Sequence, residues 1–467
     1  MNNKIVPGPK GSFVIGSVRD FAQAPPDFLL EMAQTYGPIA KFQLLNQTIF
    51  LVSEPEYIRD VLIKQRDNFP KGPLDRQILG KFLGNGLVTS DGDFHKRQRR
   101  LVQPAFHMKR IRGYAETIVD LTDRMLSRWE DGTIYDMGEE MMEVTMLIVS
   151  KSLFDANVDD LHENTHRIGK AIEDLQRVSN ADYRRGFSFP DWLPLKGNRE
   201  RKAGVQVLNE TLDKIIAERR QARENGSFVD NGDLLSMLLL AQDEDGGHMT
   251  DRQVRDEAVT LFAAGHETTS NALTWTWYLL AQHPEVEARL HEEVDRVLDG
   301  RLPTLTDLPN LPYTEMIVKE SMRLYPPVWT LNGRYALNDT EIDGYAIPKG
   351  SLIFISPWVM HRLPQYFPNP EVFDPERFAP EREKEMPRYT YLPFGAGPRV
   401  CIGKSFAMME AHLILATMAQ RFRFNIAPNQ TIEPNPLITL SPKEGLKMEA
   451  VARAAEPAYS EQELVLA

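Results

Sequence analysis

The chain has 467 residues and a formal net charge of −12, with 54 basic and 66 acidic side chains. This acidic balance argues against general nucleic-acid binding, which needs a basic surface. A single cysteine excludes an internal disulfide framework and fits a reducing compartment. Residues 1–11 lack the apolar segment of a signal peptide, and no apolar run approaches the ~18 residues of a membrane span. We therefore expect a cytoplasmic protein without a transmembrane anchor.

The first part of the chain predicts a helix, a hairpin and a loop-rich segment. A helical pattern covers residues 26–36, and alternating stretches at Ile39–Leu44 and Thr48–Val52 indicate a β-hairpin. A further helix begins after Ser53, with proline in its first turn. Residues 69–89 contain many glycines and prolines and are predicted to be mostly loop.

Helical patterns dominate the remainder. They cover residues 95–223, with a break at 181–198, and an acidic loop at 242–248 precedes a long helix that His283-Pro284 ends. Two helices follow, up to Pro326-Pro327, and a last helix covers residues 403–421. Short strand-like segments are predicted at 334–337, 341–342, 352–355, 438–440 and 446–449. Length alone would allow about three domains, but these patterns predict a mainly α protein with a small β region.

The only cysteine, Cys401, lies in the segment Phe394-Gly395-Ala396-Gly397-Pro398-Arg399-Val400-Cys401-Ile402-Gly403. A lone cysteine is more often a small buried apolar residue than a ligand. Glycines, however, allow backbone to approach a bulky partner, and a sulfur at the start of a helix is favoured as thiolate. The segment therefore predicts a thiolate site.

The long helix carries Gly265, His266, Glu267, Thr268, Thr269, Ser270 and Asn271 in succession. Such residues are unfavourable in a buried helix, because glycine costs about 1 kcal/mol and Ser or Thr compete for backbone acceptors. One interpretation is a solvated face. The other is a functional site, where local conflicts of this kind are common.

Two further patterns precede the cysteine segment. Glu320 and Arg323 share a helical face, and Pro375-Glu376-Arg377-Phe378 follows. Taken alone, the first pair is typical of an exposed ion pair worth under about 1 kcal/mol.

Together, these motifs and their order resemble the cytochrome P-450 family over residues 11–451. The resemblance implies the cytochrome P-450 fold, a single domain of residues 1–467 with α-rich and β-rich lobes and loose termini at about 1–6 and 454–467. It implies a haem b cofactor with Cys401 as the axial iron ligand. Other implied haem contacts are Phe394, Gly395, Gly403, Arg399, Arg99, Arg334, His95 (where the family has Trp), Ala264 and Gly265.

The resemblance also implies roles for the other motifs. Thr268 and Glu267 would form the acid–alcohol pair that handles dioxygen as cosubstrate, while His266 would be structural. Glu320, Arg323 and Arg377 would form a structural triad. The implied substrate pocket comprises Ile78, Phe82, Leu83, Leu87, Val88, Phe262, Ala263, Val328, Leu331 and Ile438. Aromatic residues Tyr183, Phe187, Phe189 and Trp192 are either an entry lid or ordinary loop packing.

The expected activity is that of a haem-thiolate monooxygenase acting on a lipophilic substrate, fatty acid or terpenoid-like. The chain ends soon after the last strands, so we expect no fused flavin domain. A ferredoxin or flavodoxin-type donor with its reductase would supply the electrons. Its docking patch would be the acid-free run Lys96, Arg97, Arg99, Arg100, Lys109, Arg110 and Arg112, which is otherwise a solvated face. The alternatives are a peroxide-driven hydroxylase of the same fold and a non-enzymatic haem sensor. Neither alternative would require the acid–alcohol pair.

Overall fold

The computed structural model describes residues 4–12, 14–156, 165–225, 233–241 and 247–453. The predicted acidic loop at 242–248 and the loose tail therefore lie largely outside the described residues. The helices are α1 (Val18–Gln23), α2 (Pro25–Tyr36), α3 (Pro55–Arg59), α4 (Pro73–Leu83), α5 (Gly92–Val102), α6 (Met108–Ile111), α7 (Ala115–Leu126), α8 (Met137–Phe154), α9 (Thr165–Arg185), α10 (Lys196–Glu224), α11 (Leu234–Leu240), α12 (Asp251–Leu280), α13 (Pro284–Leu298), α14 (Pro312–Leu324), α15 (Pro357–Met360), α16 (Pro380–Glu385) and α17 (Lys404–Arg421).

The strands form small sheets beside this helical body. They are β1 (Ile39–Leu44), β2 (Gln47–Val52), β3 (Thr133–Asp136), β4 (Arg334–Tyr335), β5 (Thr340–Ile342), β6 (Tyr345–Ile347), β7 (Leu352–Phe354), β8 (Phe422–Ile426), β9 (Pro434–Pro436), β10 (Leu440–Pro442) and β11 (Lys447–Ala452). One sheet has the order β1-β2-β7-β4, in which β2 and β7 are parallel and the other pairs are antiparallel. A second has the antiparallel order β3-β11-β8, and β5-β6 and β9-β10 form separate pairs. The mainly α class with a small β region is confirmed.

Helix α12 is the central element of the larger core. A capping box in which Thr250 and Gln253 satisfy each other's backbone N–H groups starts the helix. Its buried residues run along most of its length, and Trp275 and Trp277 are fully buried. A helix that is buried on all faces is expected to lie between other elements of the core. Helix α8 packs against α12 so closely that a Cβ on Gly265 would lie 3.1 Å from Val149 Cγ2.

The predicted hairpin is confirmed, with Ile39 paired to Val52 and Leu44 to Gln47. The prediction that residues 69–89 are mostly loop is wrong, because α4 occupies the middle of this segment. Pro73 stands in the first turn, where its missing N–H costs nothing, and Gly84 ends the helix at φ +64°. The same residues that indicated loop are thus the boundary signals of a helix.

Candidate functional site

The segment before α17 forms a closed loop around Cys401. The Cys401 backbone N–H donates to the Phe394 carbonyl over 2.9 Å, and the sulfur accepts from the N–H groups of Gly403 and Lys404. Burial raises the pKa of the Cys401 thiol, whereas these N–H groups and the nearby Arg99 lower it. Cys401 lies deep inside the protein, yet part of its surface does not contact other protein atoms. Its thiol therefore faces an interior space.

Two glycines determine the path of this loop. Gly397 has φ +71°, and a Cβ there would lie 2.8 Å from both Ile63 Cδ1 and Leu62 O. Gly395 has φ +66°, but its nearest neighbour would be Leu331 Cδ2 at 3.7 Å. Both positions favour glycine for conformation, and only Gly397 also requires it for space.

Beside the cysteine loop lies a cluster of buried cations. Arg399 donates to the Ser90 carbonyl over 2.9 Å and pairs with Asp91, and Arg99 donates to the Val400 carbonyl over 2.9 Å. Asp91 also accepts from the Lys71 N–H at 2.6 Å. The predicted Arg99 and Arg399 thus share one site.

Mutual repulsion and burial shift the pKa values in this cluster. Burial, with Arg399 and Arg334 nearby, lowers the pKa of Lys71 to about 7. Burial and the nearby Arg399 also lower the pKa of His95 to about 3 and that of Arg334 to about 10. When all are ionised, Lys71 and the three arginines carry two more charges than the carboxylates Asp75 and Asp91 can balance. This excess fits two bound carboxylates, such as the propionates of a haem.

Helix α12 presents a short polar stretch to a cavity. Ala264 is exposed within an otherwise buried helix, and Thr268 is half-buried one turn later. The Thr268 hydroxyl donates to the Ala264 carbonyl over 3.0 Å. Ala264, Glu267 and Thr268 all line the cavity.

Glu267 is held by side chains from outside its helix. The Thr439 hydroxyl donates to Glu267 Oε1, and Thr439 in turn accepts from Asn271 over 3.2 Å. The Gln176 side chain of α9 also donates to Glu267. Burial raises the pKa of Glu267 despite these donors.

Two residues of this helix lie away from the cavity. The predicted place of Gly265 over the haem is corrected, because the missing side chain points at Val149 of α8. One residue along a helix turns the side chain by about 100°, so Ala264 and Gly265 cannot share a face. His266 is fully buried, and its Nδ1 contacts the Phe262 carbonyl at 2.7 Å, in keeping with a structural role.

The cavity measures about 720 Å³, and its lining includes residues of α9 and of the β1–β2 hairpin. Of the predicted pocket residues, those that line it are Phe82, Leu83, Val88, Ala263, Val328, Leu331 and Ile438. Ile78, Leu87 and Phe262 are buried and do not line it. Phe262 is corrected to a core residue, since its ring packs edge-on against Phe154. Tyr183 and Phe187 lie at the cavity, whereas Trp192 is 80% exposed.

The structure brings the predicted triad together in the core. Arg323 and Glu320 are both fully buried and joined by two hydrogen bonds of 2.7 and 2.8 Å. Arg377 Nε donates to Glu320 Oε1 over 3.3 Å. The remaining Arg323 protons reach the carbonyls of His361, Pro370 and Val372, at 2.9, 2.6 and 3.0 Å. The triad therefore fastens α14 to the segment that leads to the cysteine loop.

The basic run between α5 and α7 divides into two parts. Arg99 turns inward to the Cys401 loop, while Lys96, Arg100, Lys109 and Arg112 are exposed. Lys96 pairs with Asp93 over 2.9 Å within the same helix. The exposed members leave a basic surface next to the cysteine loop.

These residues fit a haem. The donor set offers one sulfur in an interior space, an unbalanced pair of positive charges beside it, and a small residue, Ala264, on α12. Sequence reasoning missed Lys71, Asp91, Thr439 and Gln176. Asp91 alone had a signal, because it precedes α5 and accepts from the Gly92 N–H at 2.8 Å as an N-cap.

No helix of the described residues is long and apolar enough to cross a membrane. A family profile described as Cytochrome P450 matches residues 6–449. Cyclooctatin synthase from Streptomyces melanosporofaciens is 38% identical, over 93% of each chain. Pentalenene oxygenase from Streptomyces avermitilis is 34% identical, over 94% of this chain and 96% of the relative.

A solved structure, the retinoic acid-bound cyanobacterial CYP120A1, superposes with a TM-score of 0.84 at 27% identity, covering 97% of this chain and 100% of the other. Another relative, cyclooctat-9-en-7-ol 5-monooxygenase from S. melanosporofaciens, is 37% identical over 90% of this chain and 89% of its own. By these matches, the chain that carries the cysteine loop, the cationic cluster and the polar stretch of α12 belongs to the cytochrome P450 family of haem-thiolate oxidoreductases.

Proposed function

We propose that this protein is a haem-thiolate monooxygenase that inserts one oxygen atom from dioxygen into a terpenoid-like substrate. The observation that carries the proposal is the cavity itself, which has a largely apolar lining and receives Glu267 and Thr268 from α12. Apolar pockets with few polar groups suit lipophilic molecules. The relatives named for cyclooctatin, cyclooctat-9-en-7-ol and pentalenene favour a terpenoid over a fatty acid.

The cofactor is proposed to be haem b. Cys401 would hold the iron through its thiolate, and Arg99, Arg334, Arg399 and Lys71 would neutralise the propionates, with neutral His95 among them. When bound, this group supplies dioxygen activation and C–H oxidation. The chain supplies a closed loop for the sulfur, compensating charge, and a cavity that orients the substrate.

Glu267 and Thr268 are proposed to deliver protons. Because burial raises the pKa of Glu267, its carboxyl keeps a proton to a higher pH than an exposed glutamate. Thr439 and Gln176 hold this carboxyl, and Thr268 presents a hydroxyl to the same cavity. A positioned acid of this kind typically contributes about 10²–10⁴-fold to rate.

The electron donor is proposed to be a ferredoxin or flavodoxin-type protein that docks on the basic surface. Lys109 and Arg112 are exposed there, and charge complementarity raises association rates. We expect the double variant Lys109→Glu, Arg112→Glu to slow reduction by such a donor and to weaken its salt dependence. Lys10→Glu, an exposed lysine outside this run, is the matched control. Equal reduction rates in both variants would refute the docking surface.

The reaction class is tested by two measurements. The reduced protein with carbon monoxide should show the red-shifted Soret band of thiolate ligation, and absence of haem and of this band would end the proposal. Thr268→Ala should lower product per electron consumed by about tenfold or more. Thr276→Ala is the control, since Thr276 makes the same bond to a carbonyl four residues earlier, at 2.7 Å, without lining the cavity.

The same variants separate the alternatives. A peroxide-driven hydroxylase would form product with peroxide alone and would be insensitive to Thr268→Ala. A haem sensor would form no product from any substrate. The presence of both Glu267 and Thr268 at the cavity supports neither alternative.

A further inference from the structure

One wall of the cavity is polar, although the rest is mostly apolar. Gln176, Asn180 and Tyr183 of α9 all line it. Their spacing of four and three residues places them on one face of the helix. The apolar part of the lining includes Val88, Ala263 and Leu331. A molecule that fills this space meets both hydrocarbon and the hydrogen-bonding groups of α9.

Tyr183 is fixed by a buried carboxyl group. Its hydroxyl donates to Asp75 Oδ1 over 2.8 Å, and the Asn332 side chain also donates to Asp75. Asp75 is only 8% exposed, and its Oδ2 is enclosed by protein atoms. Burial raises the pKa of Asp75, although the nearby charges of Lys71 and Arg334 lower it. The buried carboxylate therefore fixes the position of the Tyr183 phenol oxygen, whose lone pairs can still accept a hydrogen bond.

Asn180 is available for a ligand. It is half-buried, and its amide makes no hydrogen bond within the described part of the chain. An amide offers both donors and an acceptor. Gln176, one turn earlier, already donates to Glu267. The polar face therefore has its free hydrogen-bonding capacity at the Asn180 amide and at the phenol oxygen of Tyr183, which Asp75 holds in place.

We propose that the substrate carries a hydroxyl group, which forms hydrogen bonds with Asn180 and with Tyr183 of the Tyr183–Asp75 pair. Its hydrocarbon skeleton packs against the apolar part of the lining. A hydroxyl both donates and accepts, so it can pair with the Asn180 amide and with the Tyr183 phenol oxygen. This inference rests on the proposed function and narrows the substrate class from a terpene to a terpene alcohol.

The test compares hydrocarbons with alcohols of the same skeleton in the haem-loaded protein. Cedrene with cedrol, and limonene with α-terpineol, are titrated, and each dissociation constant is read from the low- to high-spin absorption shift. Asn180→Leu keeps the volume of the side chain and removes its amide. We expect the alcohol-to-hydrocarbon preference to fall roughly tenfold in this variant, the loss of one hydrogen bond. Tyr183→Phe should lower the preference as well.

Glu173→Leu, on the exposed side of the same helix, is the control and should leave the preference unchanged. An equal preference in wild type and Asn180→Leu would overturn the inference. So would the absence of a shift with all four probes while imidazole still binds, since a cavity with this lining must admit one of them. Absence of the thiolate spectrum would instead defeat the proposed function, which keeps the two failures apart.

Discussion

Replacing Gly397 with alanine tests how the cysteine loop is built. Gly397 has φ +71°, and the added Cβ would lie 2.8 Å from the Leu62 carbonyl oxygen and from Ile63 Cδ1. A non-glycine residue in this backbone region costs of order 1–3 kcal/mol. Overpacking adds about 1–3 kcal/mol, and the Leu62 contact is to backbone, which cannot rotate away.

Gly395→Ala is a matched control two residues earlier in the same loop. Its φ of +66° brings a similar conformational cost, but the nearest atom would be Leu331 Cδ2 at the ordinary contact distance of 3.7 Å. The difference between the two variants therefore isolates the steric term. We expect Gly397→Ala to be less stable than Gly395→Ala by about 1–3 kcal/mol.

The assay combines denaturant unfolding with the carbon monoxide difference spectrum. Because the loop carries the proposed iron ligand, a displaced backbone should also lower the fraction of protein with thiolate ligation in Gly397→Ala. If both variants unfold at the same denaturant concentration and give equal thiolate fractions, the contact with the segment around Leu62 does not position the loop. Loss of stability in Gly395→Ala alone would contradict the reasoning directly.

Three other perturbations have defined outcomes. Arg323→Met should destabilise the fold by roughly 3–5 kcal/mol in denaturant unfolding, because it removes the doubly hydrogen-bonded partner of the buried Glu320 and leaves only Arg377, at 3.3 Å, to balance that carboxylate. Arg289→Met in an exposed pair should cost under about 1 kcal/mol. The pKa of Lys71 is lowered to about 7, so in haem-free protein Lys71→Met should flatten the rise of stability with pH above about 7. Thr439→Val removes a donor to Glu267 and should lower product per electron without changing substrate affinity.

The sign of the Lys71 effect follows from proton counting. A lysine whose pKa is depressed on folding holds fewer protons in the folded than in the unfolded state between pH 7 and its ordinary value, so stability rises with pH in that range. An unchanged slope in Lys71→Met would show that another group titrates. Equal costs for Arg323→Met and Arg289→Met would contradict the buried network, and unchanged coupling in Thr439→Val would show that Thr439 does not position the acid.

Local sequence signals predicted helices and strands well where clear boundary residues flank these elements. The hairpin and the helix after Cys401 were predicted within one or two residues, because β alternation, glycine and proline act over short distances. Strands β3, β6, β8 and β9 were missed, since three to five residues carry little periodicity of their own and are ordered by their partners. Helix α4 was missed because proline and glycine signal both loops and helix boundaries.

The motif residues of the site were predictable from the sequence, but the residues that hold them in place were not. Cys401, Arg99 and Arg399 stand in patterns that the chain displays, and the structure brings them to one place. Lys71 and Thr439 stand in no pattern. They join the site because distant backbone segments bring them there, Lys71 through a bridge to Arg334 and Thr439 through the segment before β10. Such contacts are tertiary and have no signature in a single sequence.

The polar run of α12 illustrates the same distinction within one helix. Thr268 and Ser270 bond to carbonyls of their own helix, so these hydroxyls would satisfy themselves in any buried helix. His266 also contacts a carbonyl of its own helix through Nδ1. Glu267 and Asn271 differ, because both have a partner in Thr439 on another segment. A buried carboxyl that depends on a distant hydroxyl is costly to keep, so its retention in the core is explained by chemistry at the cavity rather than by helix stability.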